Sequence, residues 1–262
     1  SQDEGHIKMN FAFTSGGNDS WALIQWMIEN GHSGIAVYND TGWAAPWWPE
    51  RIEKLKDYCI ASNMFEFKET QSMGLVELAK QKMAFPRQGM QFCTEHLKRL
   101  PSLELMNELD PDCEGTVFVG VRREESEGRK QWPEHLIESE AHGGRDVWSP
   151  LVRHDEAARN ELLARAGIEP LPHRSQECYP CVNANRADLR KLDPNRIDAI
   201  EIIEKDMGIG KRSGKPKTFF RPKSKGGAIG IVEVMKWAND GKYIPGQEDM
   251  FGSGCDSGFC GD

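Results

Sequence analysis

No apolar run in the chain approaches the ~20 residues that a membrane-spanning helix needs, and no basic-then-apolar leader is visible. The first absence argues against a helical membrane protein and membrane partners. The second leads to the expectation of a cytoplasmic location. Positive charge is also in short supply. With 33 basic against 41 acidic residues the net charge is −8, which disfavours general coating of nucleic acid. No internal repeat is evident, which sets aside solenoids and arrays. The seven cysteines are an odd number, and without a leader they do not read as a disulfide framework. What remains is a water-compatible composition, 38% hydrophobic and 28% charged over 262 residues. That length suits one large domain, or one domain with an appendage.

The first half alternates strand-like and helix-like segments. Residues 8–14 and 34–38 read as strands, 64–69 as a third, and "TVFVGV" at 116–121 as a buried one. Helical spacing occupies 20–29, 47–63, 75–83 and 94–109, and Gly31 suits a helix end. This repeat predicts an α/β fold: a Rossmann-like parallel sheet flanked by helices. Beyond Pro150 the pattern changes to helices at 155–166, 194–206 and 228–239, with irregular chain between them. The expected division is a nucleotide-type domain over 1–152 and a smaller, mostly helical region over 153–262. That second region carries a C-x-x-C pair, a basic loop and a Gly-rich tail with cysteines.

The chemistry-bearing stretch is "FAFTSGGNDSWALIQWM", where a strand stops on Ser15-Gly16-Gly17-Asn18-Asp19-Ser20 and a helix starts at once. The glycines permit tight turning and close approach. Ser20 is a candidate N-cap. Exposed N–H groups at a helix start favour an anion, and phosphate is the usual occupant of such a loop. The string has no Gly-Lys-Ser/Thr and is not G-x-G-x-x-G, so neither common nucleotide fingerprint applies.

This string resembles the pyrophosphate-binding loop of the adenine nucleotide α-hydrolase superfamily, the N-type ATP pyrophosphatases. Four further stretches are similar to the phosphoadenylyl-sulfate (PAPS) reductase family within it. They are "VYNDTGW" with Asp40-Thr41-Gly42, "CTEHLKRLP" from Cys93 to Pro101, "GVRREESEGR" from Gly120 to Arg129, and "WSPL" from Trp148 to Leu151. They follow the family's order over roughly the first 150 residues.

The resemblance implies ATP, or another adenine nucleotide, lying across the strand ends with Mg²⁺ or Mn²⁺. It places the phosphates on Ser15, Gly16, Gly17, Asn18, Asp19 and Ser20, with Asp40, Thr41 and Gly42 beside the nucleotide. It makes Asp19, Lys98, Arg122 and Arg129 the catalytic candidates, and Asp19 and Asp40 the Mg²⁺ candidates. The physical logic stands beside it. Cleaving an α–β phosphoanhydride spreads negative charge that fixed N–H donors and guanidinium groups stabilise. Alone, the same residues suit plainer roles: Asp19 at a helix start, Asp40 in a turn, Arg122 and Arg129 as solvated surface charge with Glu124, Glu125 and Glu127.

The family has two branches. One ends in Glu-Cys-Gly-(Ile/Leu)-His, whereas this tail reads "GCDSGFCGD", with Cys255 and Cys260 outside that motif. The other binds a [4Fe–4S] cluster through a Cys-Cys pair and a later Cys-x-x-Cys. Here Cys93 matches the first position, Thr94 stands at the second, and Cys178 and Cys181 match the later pair. That makes Cys93, Cys178 and Cys181 candidate ligands for Fe–S or Zn²⁺. Lys205 to Lys225 carries eight basic residues and one acid. With Phe219 and Phe220 it reads as a solvated loop, a lid, or a nucleic-acid contact. The functional expectation is an enzyme that converts ATP to AMP and pyrophosphate, by hydrolysis or by adenylating an unknown acceptor. The alternatives are a sulfonucleotide reductase or sulfurtransferase, or a nucleotide-binding subunit that joins a partner protein in a defence or nucleic-acid-modifying complex.

Overall fold

The computed structural model describes residues 9–87, 89–221 and 229–240. Six strands form one sheet: β1 (Asn10–Thr14), β2 (Gly34–Asp40), β3 (Phe65–Gln71), β4 (Thr116–Phe118), β5 (His135–Ser139) and β6 (Arg145–Trp148). Their order is β3-β2-β1-β4-β6-β5. β1 runs parallel to β2 and β4, β2 to β3, and β4 to β6. Only the edge strand β5 is antiparallel. The expected Rossmann-like α/β architecture is therefore what the chain adopts.

Side-chain alternation on β1 and β2 explains the layering. Ala12, Ala36 and Phe118 face one way, against Trp21, Leu23, Ile24 and Met27 of α1 (Asn18–Glu29) and Leu55 and Cys59 of α2 (Trp48–Ala61). Leu162 and Leu163 of a later helix, Glu156–Arg165, close this layer. Phe11, Phe13, Ile35, Val37, Val117 and Val147 face the other way, against Met106 and Leu103 of Leu100–Leu109. Both sheet faces are thus covered. A third cluster lies near the strand ends, where Tyr38 and Trp43 meet α3 (Leu75–Lys82) and the C-terminal helices Pro194–Met207 and Ile231–Asn239.

The expected strand over 116–121 stops at Phe118. The Val119 N–H still bonds to the Trp148 carbonyl at 3.0 Å, but Gly120 then turns against α1. The antiparallel pair β5–β6 and the short helix Arg186–Arg190 are additional to the sequence expectation. Ser20 is not the cap of α1. The helix starts two residues earlier, Gly17 occupies the cap position with extended backbone (φ −71°, ψ 174°), and the Ser20 hydroxyl has another task described below. The helix expected over 94–109 begins at Phe92 and contains one wide turn over Glu95–Arg99.

His142 is buried behind β6 beside Phe13, with Nδ1 2.9 Å from the Ser139 hydroxyl. Burial, helped by the Arg99 charge, lowers its pKa from the ordinary 6.5 to about 4. The unfolded chain therefore takes up this proton first on acidification, and stability is lost as pH falls from about 6.5 towards 4. We expect the wild type to lose about 2 kcal/mol more between pH 7 and pH 5 than His142→Gln. Urea titration at the two pH values measures the difference, and equal slopes would refute the assignment.

Candidate functional site

The sheet order reverses beside β1: the chain moves outward through β2 and β3, then returns to place β4 on the other side of β1. Ligands of open α/β sheets bind in the crevice at such a point, outside the carboxyl ends of the strands. The Ser15–Gly17 loop leaves β1 there and feeds directly into α1. Gly16 has φ +75°, and a Cβ on it would stand 2.6 Å from Ile52 Cδ1 and 3.3 Å from the Trp48 ring. Ser20 closes the loop on itself. Its hydroxyl accepts the Ser15 N–H at 2.7 Å and lies 3.0 Å from the Ser15 hydroxyl, which in turn accepts the Gly17 N–H at 3.3 Å.

The outward-facing carbonyls of this loop are pinned from behind. Trp48 Nε1 donates to the Ser15 carbonyl at 3.0 Å, and Arg51 Nε donates to the Gly16 carbonyl at 2.6 Å. The Arg51 guanidinium lies 5.9 Å from the ring centroids of both Trp21 and Trp48. Neither Trp48 nor Arg51 belongs to a motif the sequence singled out. Their place at the start of α2, just after the Asp40 turn, is the available sequence signal.

The remaining candidates arrive from several elements. Asp19 is buried and receives Arg122 Nε at 2.7 Å, while Arg159 from Glu156–Arg165 stands 3.8 Å away. Gly120 makes this approach feasible, because a Cβ there would sit 2.9 Å from the Asp19 carbonyl. Arg122 also pairs with Glu124 at 3.2 Å. Arg129 is buried and ion-paired to Glu125. Asp40 caps its own turn, accepting the Gly42 N–H at 2.9 Å. Lys98 comes from the wide turn over Glu95–Arg99 and is buried in an ion pair with Glu177. Arg122, Arg129 and Lys98 are therefore interior charges, each held by a carboxylate.

A strap from the second half of the chain ties these parts together. Asn18 exchanges two hydrogen bonds with the Leu171 backbone, at 2.9 and 3.0 Å. The Ser175 hydroxyl donates to the Ser15 carbonyl at 3.3 Å. The Thr41 hydroxyl donates to the Glu177 carbonyl at 2.8 Å, and Trp43 Nε1 to the Pro180 carbonyl at 3.2 Å. The Tyr179 N–H returns a bond to the Trp43 carbonyl at 2.8 Å. Within this strap sequence reasoning singled out Cys178 and Cys181, but not Glu177.

The strap brings Cys178 and Cys181 to the same cavity as Cys93, Thr41, Lys98 and Glu177. Burial raises the Cys178 thiol well above its ordinary range, against the opposing pull of Lys98. The three cysteines thus line one cavity, a grouping that the family resemblance implied. Among the described residues, however, no three Cys, His, Asp or Glu side chains are arranged to hold a metal ion. As placed, the thiols do not fit a cluster or Zn²⁺, and Asp19 and Asp40 do not form a protein cage for Mg²⁺. Cys255 and Cys260 lie outside the described residues, as do Lys223 and Lys225. Phe219 and Phe220 are buried in the third core cluster, so their rings pack the interior.

Among the solved structures that resemble this one are two. One is phosphoadenylyl-sulfate (PAPS) reductase from Candida auris in a phosphate complex, with 14% identity, 63% of this chain and 76% of that chain covered, and TM-score 0.46. The other is NMN synthetase from Francisella tularensis, with 12% identity, 89% and 84% covered, and TM-score 0.47. No curated protein matches the chain. The phosphoadenosine phosphosulfate reductase domain family matches residues 9–181, about two thirds of the sequence, and the chain belongs to that family.

Proposed function

We propose that this protein binds ATP with its phosphates on the Ser15–Ser20 loop and breaks the bond between the α and β phosphates. The products are AMP and pyrophosphate, formed by hydrolysis or by adenylation of an acceptor. One observation carries this reading: the loop stands at the switch point of the sheet, on the N-terminus of α1. Phosphate there meets the positive end of the helix, whose first N–H groups have no carbonyl partner within it.

The rest of the site suits stabilisation of charge on the leaving pyrophosphate. Arg122 is poised beside the loop by Asp19, and a phosphate oxygen arriving there replaces part of that carboxylate's role. Asp19 thereby positions Arg122. Trp48 and Arg51 fix the Ser15 and Gly16 carbonyls, which holds the loop backbone in one conformation. A triphosphate ordinarily brings its own divalent cation, which bridges phosphate oxygens and neutralises their charge. No step is assigned to that ion here, because Asp19 is engaged with Arg122.

A second reading, sulfonucleotide reduction, draws support from the family match and from three thiols in one cavity. Product analysis separates the two. The protein is incubated with Mg²⁺ and α-labelled ATP, and separately with PAPS and a thiol reductant. AMP and pyrophosphate from ATP support the first reading, and ADP as the only product sinks it. Sulfite with adenosine 3′,5′-bisphosphate, formed from PAPS, establishes the second.

A further inference from the structure

The cavity beside the phosphate loop has an unusual charge balance. Two cations line it, Lys98 and Arg174, and each is already matched by a carboxylate. Lys98 is ion-paired to Glu177 with both side chains 5% exposed, and Arg174 stands 3.7 Å from Asp188. The rest of the wall includes Leu75, Leu97, Val182 and the three thiols. The cavity adjoins the loop through Ser175, whose hydroxyl bonds to the Ser15 carbonyl.

An anion entering beside Lys98 would lose its hydration and meet a cation that Glu177 already matches. Burial of an uncompensated charge is strongly unfavourable. An uncharged group faces no such penalty and gains contact with apolar walls. The Glu177 backbone is itself fixed, because its carbonyl accepts the Thr41 hydroxyl and its N–H reaches the Ser175 hydroxyl at 3.4 Å. The carboxylate is therefore built in opposite Lys98.

We infer that this cavity is the subsite for the acceptor, that it takes an uncharged group, and that Glu177 is the specificity-determining residue that bars a sulfate from Lys98. The inference rests on the nucleotide reading above and narrows it to acceptors without negative charge.

The test compares AMP with adenylyl sulfate, which share the adenylate and differ by the sulfate. Calorimetry measures both on the wild type, on Glu177→Gln and on the double variant Lys98→Met/Glu177→Leu, with circular dichroism confirming that each is folded. The wild type is expected to bind adenylyl sulfate no more tightly than AMP. Glu177→Gln keeps the shape and releases Lys98, so adenylyl sulfate tightens at least tenfold relative to AMP. The double variant removes both charges and shows no such gain. If Glu177→Gln does not fold, Glu177→Ala with Thr41 intact is used, with the same expectation.

A wild type that already prefers adenylyl sulfate tenfold overturns the inference, as does AMP binding with no gain in the variant. Absence of AMP binding to the wild type overturns the nucleotide reading, and this inference with it.

Discussion

Gly16→Val is expected to abolish detectable nucleotide binding and to lower the stability of the fold. The residue sits at φ +75°, a region that a β-branched side chain adopts only with strain. Its Cβ would stand 2.6 Å from Ile52 Cδ1 and 3.3 Å from Trp48. The isoleucine tip can shift a little, but the indole is fixed by its bond to the Ser15 carbonyl. The backbone must therefore rotate, and rotation turns away the N–H groups that a phosphate would use. Strain and overpacking together cost about 2–4 kcal/mol. Loss of the aligned donors weakens nucleotide binding by about 100-fold or more, at ~1.4 kcal/mol per tenfold. Gly17→Ala is the control, since its φ of −71° suits any residue. Equilibrium dialysis with ATP reads the affinity and thermal melting the stability. Near-normal ATP binding by Gly16→Val would remove the loop from the site.

Arg145→Ala is expected to cost about 3–5 kcal/mol of stability while leaving nucleotide contacts untouched. The guanidinium is fully buried on β6. Nε meets Asp110 Oδ2 at 2.7 Å, Nη1 reaches Asn107 Oδ1 at 3.1 Å and the His142 carbonyl at 3.3 Å. Nη2 takes the carbonyls of Met106 at 3.1 Å and Asp110 at 2.5 Å. These lie at the end of helix Leu100–Leu109, where Arg145 adds a second donor to carbonyls that already accept the Asp110 N–H at 2.8 Å and the Cys113 N–H at 3.1 Å. One planar fork thus closes a helix, neutralises Asp110 and anchors a strand. Alanine leaves the nearly buried Asp110 carboxylate without its counter-ion, held only by the Glu114 and Gly115 N–H groups, and strips a donor from the Met106, Asp110 and His142 carbonyls. Arg145→Lys restores the charge but not the fork, so it recovers only part of the loss. Urea midpoints measure both variants, and a loss below about 1 kcal/mol would contradict this account.

The parts that were legible in the sequence are those with a local signature. β1, its Ser-Gly-Gly exit and α1 are adjacent, and the change from period 2 to period 3.6 falls on the glycines. The parts that were not legible depend on distant partners. Strand β5 is short and mostly exposed, "HLIES", so it lacks the apolar alternation that marks a half-buried strand. Asp19 reads as a helix-start residue or an ion ligand, yet its carboxylate holds Arg122, 103 residues away. Glu177 gave no signal, because nothing local distinguishes a buried carboxylate before C-x-x-C from a surface one. Lys98 was identified by resemblance, but its counter-ion, 79 residues downstream, emerges only with the fold.

That distance has a consequence for how the molecule comes into being. Asn18, Thr41 and Trp43 take their partners 153, 136 and 137 residues later in the chain. Closing such loops costs entropy before any contact repays it. As the chain leaves the ribosome, the early strands can pair while the strap is still unmade. The nascent protein passes through a stage with a sheet but without these ties, which form only when residues 171–183 cross back over the strand ends.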